Sequence, residues 1–378
     1  MRVIISVFGK FHAFELAKQL HGVGNLKKII TSYPYFELRK FSLPAVKCES
    51  FILCEILKRI FSQNFFRYVL NELFDFYVAN RITSTDIFVG WAGFSLRSLR
   101  KAKKNGAIVI IENGSTHALF QKNILSEEYK ILGIKKNDFF NNKIIKKELQ
   151  EYIEADFISV PSSFAKNTFL EMEVDEKKIL HIPYGVDLSK FKKVSKKDSV
   201  FRIIFVGTLS ARKGVHYLLQ AYSELHLKNS ELLLIGEMCD EMKFFFQKYP
   251  KNVRWIPHVA HTELYTFLSQ GSIFVMPSLE EGLALVIFEA MACGLPVIAT
   301  TNSGAEDIVI DGRNGFIIPI RNNAVLKEKI LFFYNNLGII SVMGLHAVNS
   351  VQSGFSWDDY GERIIDTYNR CINTRKYE

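Results

Sequence analysis

Cysteine is scarce and scattered in this chain. The five thiols among 378 residues (Cys48, Cys54, Cys239, Cys293, Cys371) are odd in number and form no C-x-x-C pair. Neither a disulfide framework nor a thiolate zinc site is indicated, which fits a reduced, cytosolic protein. No apolar run reaches the ~18 residues that a membrane span needs, so any membrane contact is expected to be peripheral. The opening "MRVIISVFGKFH" has only a short apolar run before Gly9 and Lys10, which suits a first buried strand better than a signal peptide. Short repeats and low-complexity tracts are lacking, which argues against solenoids and disordered tails. No Asp-x-Asp occurs anywhere, so the sequence offers no such cue for a carboxylate-held Mg²⁺ or Mn²⁺.

What is present is ample core material: 48% hydrophobic residues against 23% charged ones. A chain of this length is expected to divide into two domains, because single cores stop growing at roughly 250–300 residues. The net charge of +9 is unevenly spread. Residues 1–198 hold 32 Lys+Arg against 21 Asp+Glu, while the remainder holds 16 against 18. A basic half can meet nucleic acid, anionic lipid or an anionic substrate, and solvated surface lysines are the plain alternative.

Short β-branched runs alternate with helical patterns throughout, the mark of parallel sheets with crossover helices. Strands are expected at 2–8, 86–91, 107–113, 156–162, 201–207, 231–236, 252–257, 272–278, 295–300 and 314–320. Residues 182–200, "IPYGVDLSKFKKVSKKDSV", lack a hydrophobic period and read as a linker. The expected architecture is α/β, with two Rossmann-like domains and a cleft between them. The first covers 1–190 and the second 200–356, with a final helix at about 357–378 returning to the first. Residues 35–81 mix aromatic, aliphatic and basic side chains at helical spacing. They suit core helices, or a surface for a membrane interface or a lipid-borne acceptor.

The chemistry concentrates in "PSLEEGLALVIFEAMACGLPVIAT", residues 277–300, where Glu281 and Glu289 stand in an almost wholly apolar segment. A strand, a Gly-containing turn and a helix stopped by Gly294 and Pro296 place Glu281 where doubly wound folds bind ligands. The free amides of residues 283–285 at the helix start form a seat for an anion. Carboxylates beside such a seat suit vicinal hydroxyls, and a nucleotide sugar offers hydroxyls on both sides of its diphosphate. "FVGTLSARKGVHYLLQAY" (205–222) supplies Arg212 and Lys213 on a loop after Gly207, cations suited to that diphosphate. "HVAH" (258–261) carries two histidines, but with no acidic or thiol partner expected nearby it is not expected to bind zinc.

These residues carry a resemblance. The C-terminal half resembles the family-4, retaining glycosyltransferases of GT-B fold, whose E-x7-E motif matches Glu281 and Glu289. The likeness extends through "VGTLSARKG", "IPYGVD" and "FSWDDYGERI", and more loosely through "ENGSTH", "LSEEYKILGI" and "ELQEYIEADFISVPS" in the N-terminal half. It implies that Glu289 holds the ribose hydroxyls and Glu281 those of the donor sugar. Lys213, with Arg212, would hold the diphosphate, completed by the amides of Leu283, Ala284 and Leu285, and the base would lie against Pro257–Ala260, at His258 and Val259. Catalytic roles would fall to Glu281, Lys213 and a histidine, for which His117 in "IENGSTHALF" is the candidate. Gly9, His12 and Glu112 would serve the acceptor site. Two departures stand out: Leu283-Ala284 where the family often has Phe-Gly, and Thr208 where Arg is common.

The resemblance thus implies a cytoplasmic transferase with a UDP- or GDP-sugar donor, a glycan or lipid-linked glycan acceptor, and no metal or other cofactor. Surface-polysaccharide or lipopolysaccharide assembly, at the inner face of the cytoplasmic membrane, is the implied setting. A glycosyltransferase-like subunit that binds nucleotide sugar without turnover is the alternative, supported by the two departures. Nucleic acid is not expected as a partner, because the aromatic residues of the basic half follow no RNA-binding motif.

Overall fold

Continuous apolar runs become central strands because both faces of a parallel sheet are covered by helices. A computed structural model describes residues 1–60, 64–134, 141–248 and 251–376. The first sheet contains β1 (Val3–Val7), β2 (Leu26–Thr31), β3 (Cys48–Ser50) and β4 (Ile87–Trp91). It continues with β5 (Ile108–Glu112), β6 (Phe157–Val160) and β7 (Ile179–His181), in the order β3-β2-β1-β4-β5-β6-β7. The second contains β8 (Phe201–Val206), β9 (Ser230–Ile235), β10 (Val253–Ile256), β11 (Ile273–Met276), β12 (Val297–Thr300) and β13 (Gly315–Ile318). Its order is β10-β9-β8-β11-β12-β13, and every pairing in both sheets is parallel. The chain therefore folds as two doubly wound α/β units.

In the first half the helices are α1 (Ala13–Gly22), α2 (Tyr35–Arg39), α3 (Ile52–Ile60) and α4 (Asn64–Ala79). They are followed by α5 (Leu96–Lys104), α6 (Ala118–Ile131), α7 (Asn142–Glu154) and α8 (Ser163–Leu170). In the second half come α9 (Val215–Leu225), α10 (Leu264–Leu268), α11 (Leu285–Ala292), α12 (Asn323–Asn335), α13 (Leu337–Gln352) and α14 (Trp357–Lys376). The period-2 alternation of β1 sends Val3, Ile5 and Val7 to one core and Ile4 to another. Helix α14 packs on α1, where Gln19 lies 3.4 Å from Asp358. Residues 377–378 of the expected final helix lie outside the described residues.

Three strands escape the apolar pattern. β2, "LKKIIT", carries two lysines, and Lys28 reaches Glu49 of β3 at 2.7 Å across the sheet edge. β3 and β7 are three-residue edge strands, too short to show alternation. The expectation of helices throughout 35–81 is corrected accordingly, since β3 interrupts that stretch; residues 61–63 within it lie outside the described residues.

Several contacts join the halves, among them these two. Glu128 of α6, fully buried, accepts from His216 (2.8 Å), Tyr217 (2.9 Å) and Arg321 (2.7 Å). At the other, a Cβ on Gly282 would sit 2.7 Å from Ser115 Cα, so only glycine lets the two backbones pass.

Candidate functional site

The turn after β11 holds two acids, Glu280 and Glu281, and helix α11 behind it a third, Glu289; each has a different fate. Glu280 is fully buried and accepts from Arg212 Nε (2.7 Å), the Thr116 hydroxyl (2.6 Å), the Ser115 hydroxyl (2.7 Å) and the Gln121 amide (2.9 Å). Burial pushes its carboxyl up, but the Arg212 charge and these donors win and hold it at about 2. Glu280 thereby pins a cation of the second half to a loop of the first. Sequence reasoning passed over it; the available signal was the doubled acid before Gly282, of which only Glu281 falls on the E-x7-E spacing.

Glu281 is half-buried and ion-pairs with Lys213, and Arg212 Nη2 stands 3.7 Å away. The cation loop is built by β8 ending beside Gly207 and by α9 starting after Gly214. A Cβ on Gly207 would lie 3.9 Å from Lys213 Cε, so the two flank one another. Arg212 and Lys213 are thus not isolated counter-charges. Each already has a carboxylate partner, because oppositely charged groups in a partly dry turn pair in preference to staying unpartnered.

Helix α11 begins at Leu285 because "LVIFEAMA" is a run without breakers, and it stops before Gly294, which adopts φ +79°. The Leu283 and Ala284 side chains are buried. The anion seat is narrower than expected: the Ala284 amide donates to the Ser303 carbonyl at 3.4 Å. Among the described residues no hydrogen bond engages the amides of Leu283 or Leu285. Glu289 lies one turn into the helix and meets His261 Nε2 at 2.7 Å. That hydrogen bond outweighs burial and raises the His261 pKa. The expectation that no acid stands near 258–261 is therefore overturned, since the loop after β10 folds over α11. His258 is exposed and Val259 packs on the core beside it. Among the described residues no group of three or more His, Cys, Asp or Glu side chains is placed to hold a metal ion.

Across the seam, the structure brings two acceptor-side candidates together. His12 Nε2 and Glu112 Oε2 are 3.3 Å apart and buried, with the imidazole packed on Tyr184 (4.2 Å) and Trp91 (5.0 Å). Among the described residues Glu112 Oε1 and the Tyr184, Tyr360 and Tyr368 hydroxyls find no hydrogen-bond partner. Gly9 has φ +124° and its carbonyl accepts from the Thr31 hydroxyl at 2.7 Å. Next to it is Phe11, absent from the sequence-based candidates: a 61% exposed aromatic at φ +42°. Non-glycine residues enter that region at a cost, which concentrates them at functional loops.

His117 lies elsewhere. It is the N-cap of α6, its Nδ1 accepts from Leu119 N at 3.3 Å, and its ring packs on Tyr152 and Phe169. The ring lines a cavity of about 460 Å³ walled by Leu149, Tyr152, Met172 and Val174, all of the first half. Burial lowers its pKa to about 4, so it is neutral. His117, expected at the reacting centre, is held by two aromatic neighbours and a capping bond inside its own half.

Residues 187–338 match the family described as "Glycosyl transferases group 1". The chain is 26% identical over 362 residues to an uncharacterised glycosyltransferase of Methanocaldococcus jannaschii, covering 91% of this chain and 88% of that one. It is 28% identical to the capsular polysaccharide biosynthesis glycosyltransferase CapM of Staphylococcus aureus, over 58% of this chain and 63% of that one. Among solved structures, HepE of Anabaena in complex with UDP and glucose superposes with a TM-score of 0.72 at 15% identity, covering 98% of this chain and 100% of that one. With two parallel-sheet units, the acids of its E-x7-E spacing at one sheet edge and these relatives, the chain carries a glycosyl transferases group 1 domain of GT4 type within a GT-B fold.

Proposed function

We propose that the protein is a retaining glycosyltransferase that moves a sugar from a nucleotide-diphosphate donor to an acceptor hydroxyl, without a metal ion. The observation that carries this is the Lys213–Glu281 ion pair at the C-terminal sheet edge, inside the matched domain. An incoming diphosphate exchanges Lys213 from Glu281 to its own oxygens, which frees Glu281 for hydroxyls of the donor sugar. Glu289 takes the ribose hydroxyls, and the base rests against His258 and Val259. The UDP bound to HepE supports a nucleotide sugar as donor.

In the transfer, the bond between the anomeric carbon and the β-phosphate oxygen breaks and a bond to the acceptor oxygen forms on the same face. The acceptor's proton goes to the departing phosphate. Lys213, Arg212 and the Leu283 and Leu285 amides stabilise the developing charge, with Arg212 held on station by Glu280. Gly9, His12, Glu112 and the exposed Phe11 face the acceptor. The acceptor is a bacterial surface glycan or its lipid-linked precursor, met in the cytoplasm at the membrane's inner face; CapM's name supports a polysaccharide pathway.

Incubation with a panel of UDP- and GDP-sugars, followed by nucleotide release and NMR of the product anomer, tests this. Release from one donor, retained configuration and indifference to EDTA are expected, with Lys213→Ala losing roughly a hundredfold or more in rate. An inverted product, or activity abolished by EDTA and restored by Mn²⁺, overturns the mechanism. Nucleotide-sugar binding with no turnover on any donor returns the protein to a binding subunit.

A further inference from the structure

The described part of 35–81 contains a surface that the transfer chemistry does not use. On α3, Ile52, Leu53, Ile56 and Ile60 are 41–65% exposed, and on α4 Val69, Leu73 and Phe76 are 37–57% exposed. At 100° per residue the first four fall within an arc of about 100° and the last three within about 60°, so each helix presents one apolar stripe. The helices pack on each other, which makes the stripes neighbours. Their inner faces are already committed: Cys54, Leu70, Phe74 and Val78 lie in the core. These two helices carry seven of the 21 large apolar side chains exposed among the described residues.

Charge distinguishes the possible occupants. Each acid on the two helices is spent within the fold. Glu55 accepts from Ser32 (3.3 Å), Glu72 binds Arg97 (3.0 Å) and Lys147 (2.8 Å), and Asp75 binds Lys147 (2.8 Å) and Ser98 (2.7 Å). Between Glu55 and Glu72 the chain holds Lys58, Arg59 and Arg67 and no acid. Lys58 and Arg67 are exposed, and Lys143 of α7 lies over the Tyr68 ring, 5.4 Å from its centroid. An apolar stripe bordered by cations fits a bilayer with anionic headgroups: the aliphatic side chains enter the acyl boundary and the cations meet phosphate. A nucleic acid would want stacking aromatics rather than isoleucine and leucine. A second copy would bring another strongly basic half against this one.

We propose that the outer faces of α3 and α4 dock the protein on an anionic lipid surface. The proposal deepens the reading of a membrane-borne acceptor and rests on it for its purpose, but docking itself requires no turnover and is measured apart from it.

The full chain is sedimented with vesicles of phosphatidylcholine alone or mixed with phosphatidylglycerol, at low and raised salt. The wild type should pellet with the mixed vesicles at low salt and less in the other conditions. Ile56→Ser with Phe76→Ser should lower partitioning about tenfold or more. Lys58→Ser with Arg67→Ser should cost about fivefold per cation. Both variants change exposed side chains, so melting temperature and nucleotide affinity should hold, which separates lost docking from misfolding. Wild type remaining in solution with mixed vesicles at low salt overturns the proposal, as does equal pelleting of wild type and variants. A wild-type dimer in ultracentrifugation that the apolar variant dissociates also overturns it, by assigning the face to self-association.

Discussion

The two halves share one strand order at the heart of their sheets but arm their C-terminal edges differently. The second half, near neutral in charge, places ion pairs where a ligand can reach them: Lys213 with Glu281, and His261 with Glu289. The first half, strongly basic overall, seals the acid–imidazole contact of His12 with Glu112 beneath tyrosine and tryptophan rings. Ion pairs near solvent exchange partners cheaply, whereas a buried pair holds its geometry because separating it strands charge in a dry place. Topology supplies an edge with open strand ends; burial decides whether that edge trades charges with a ligand or stays rigid. One half is suited to receive a charged donor. The other is suited to present a fixed floor and, outside it, an apolar and basic exterior.

Glu280 is where the comparison can be broken most severely, because it belongs to both halves. Glu280→Ala leaves Arg212 without its buried partner and strips an acceptor from Ser115, Thr116 and Gln121. Removing one member of a buried pair costs about 3–5 kcal/mol. Denaturant unfolding should show that loss, with the junction between the halves yielding first to proteolysis. Unchanged stability would mean that other contacts, such as Glu128 with Arg321 and Asp307 with His181, carry the junction between the halves.

A smaller effect, confined to the second half, should follow Glu289→Gln. Size is kept, but a charged acceptor becomes a neutral one. Loss of a charged hydrogen bond costs about 1.5–3 kcal/mol, or roughly 10–150-fold in nucleotide affinity. Calorimetry reads it directly. Equal affinity in a folded variant would remove Glu289 from the donor site, and a change in vesicle binding would show that the halves do not divide the work as described.

The sequence made the second half far more legible than the first. "SIFVMPS", "LVIFEAMAC" and "LPVIAT" are continuous apolar runs separated by Gly and Pro, so strand, helix and strand could be placed from pattern alone. In β2 two lysines break the run, and the neutralising partner of Lys28, Glu49, is 21 residues away in sequence and visible only in space. The same limit applies to the site. Glu281 and Lys213 were nameable from local spacing, whereas Glu280 acquires its meaning from Ser115 and Thr116, which lie 165 and 164 residues before it. His117 shows the converse: a histidine after a strand suggests the cleft, but Tyr152 and Phe169 enclose it, and no local pattern announces that.

His117 also provides the mildest test, limited to the first half. Its neutral ring accepts from Leu119 N, and burial lowers its pKa from the ordinary 6.5 to about 4. The unfolded chain therefore binds a proton at this site over a pH range in which the folded chain does not. The stability that this group contributes is complete above pH 6.5 and is lost as pH falls toward about 4. By pH 5 the loss should be of order 1–2 kcal/mol. His117→Asn keeps an N-cap acceptor without a titrating ring, so its stability should fall less steeply than the wild type's over that range. The other histidines are common to both proteins and cancel in the difference. Parallel pH profiles would show that the ring is open to protons and return it to the cleft. In the arrangement described, the variant binds nucleotide as the wild type does, and only the acid side of its stability curve moves.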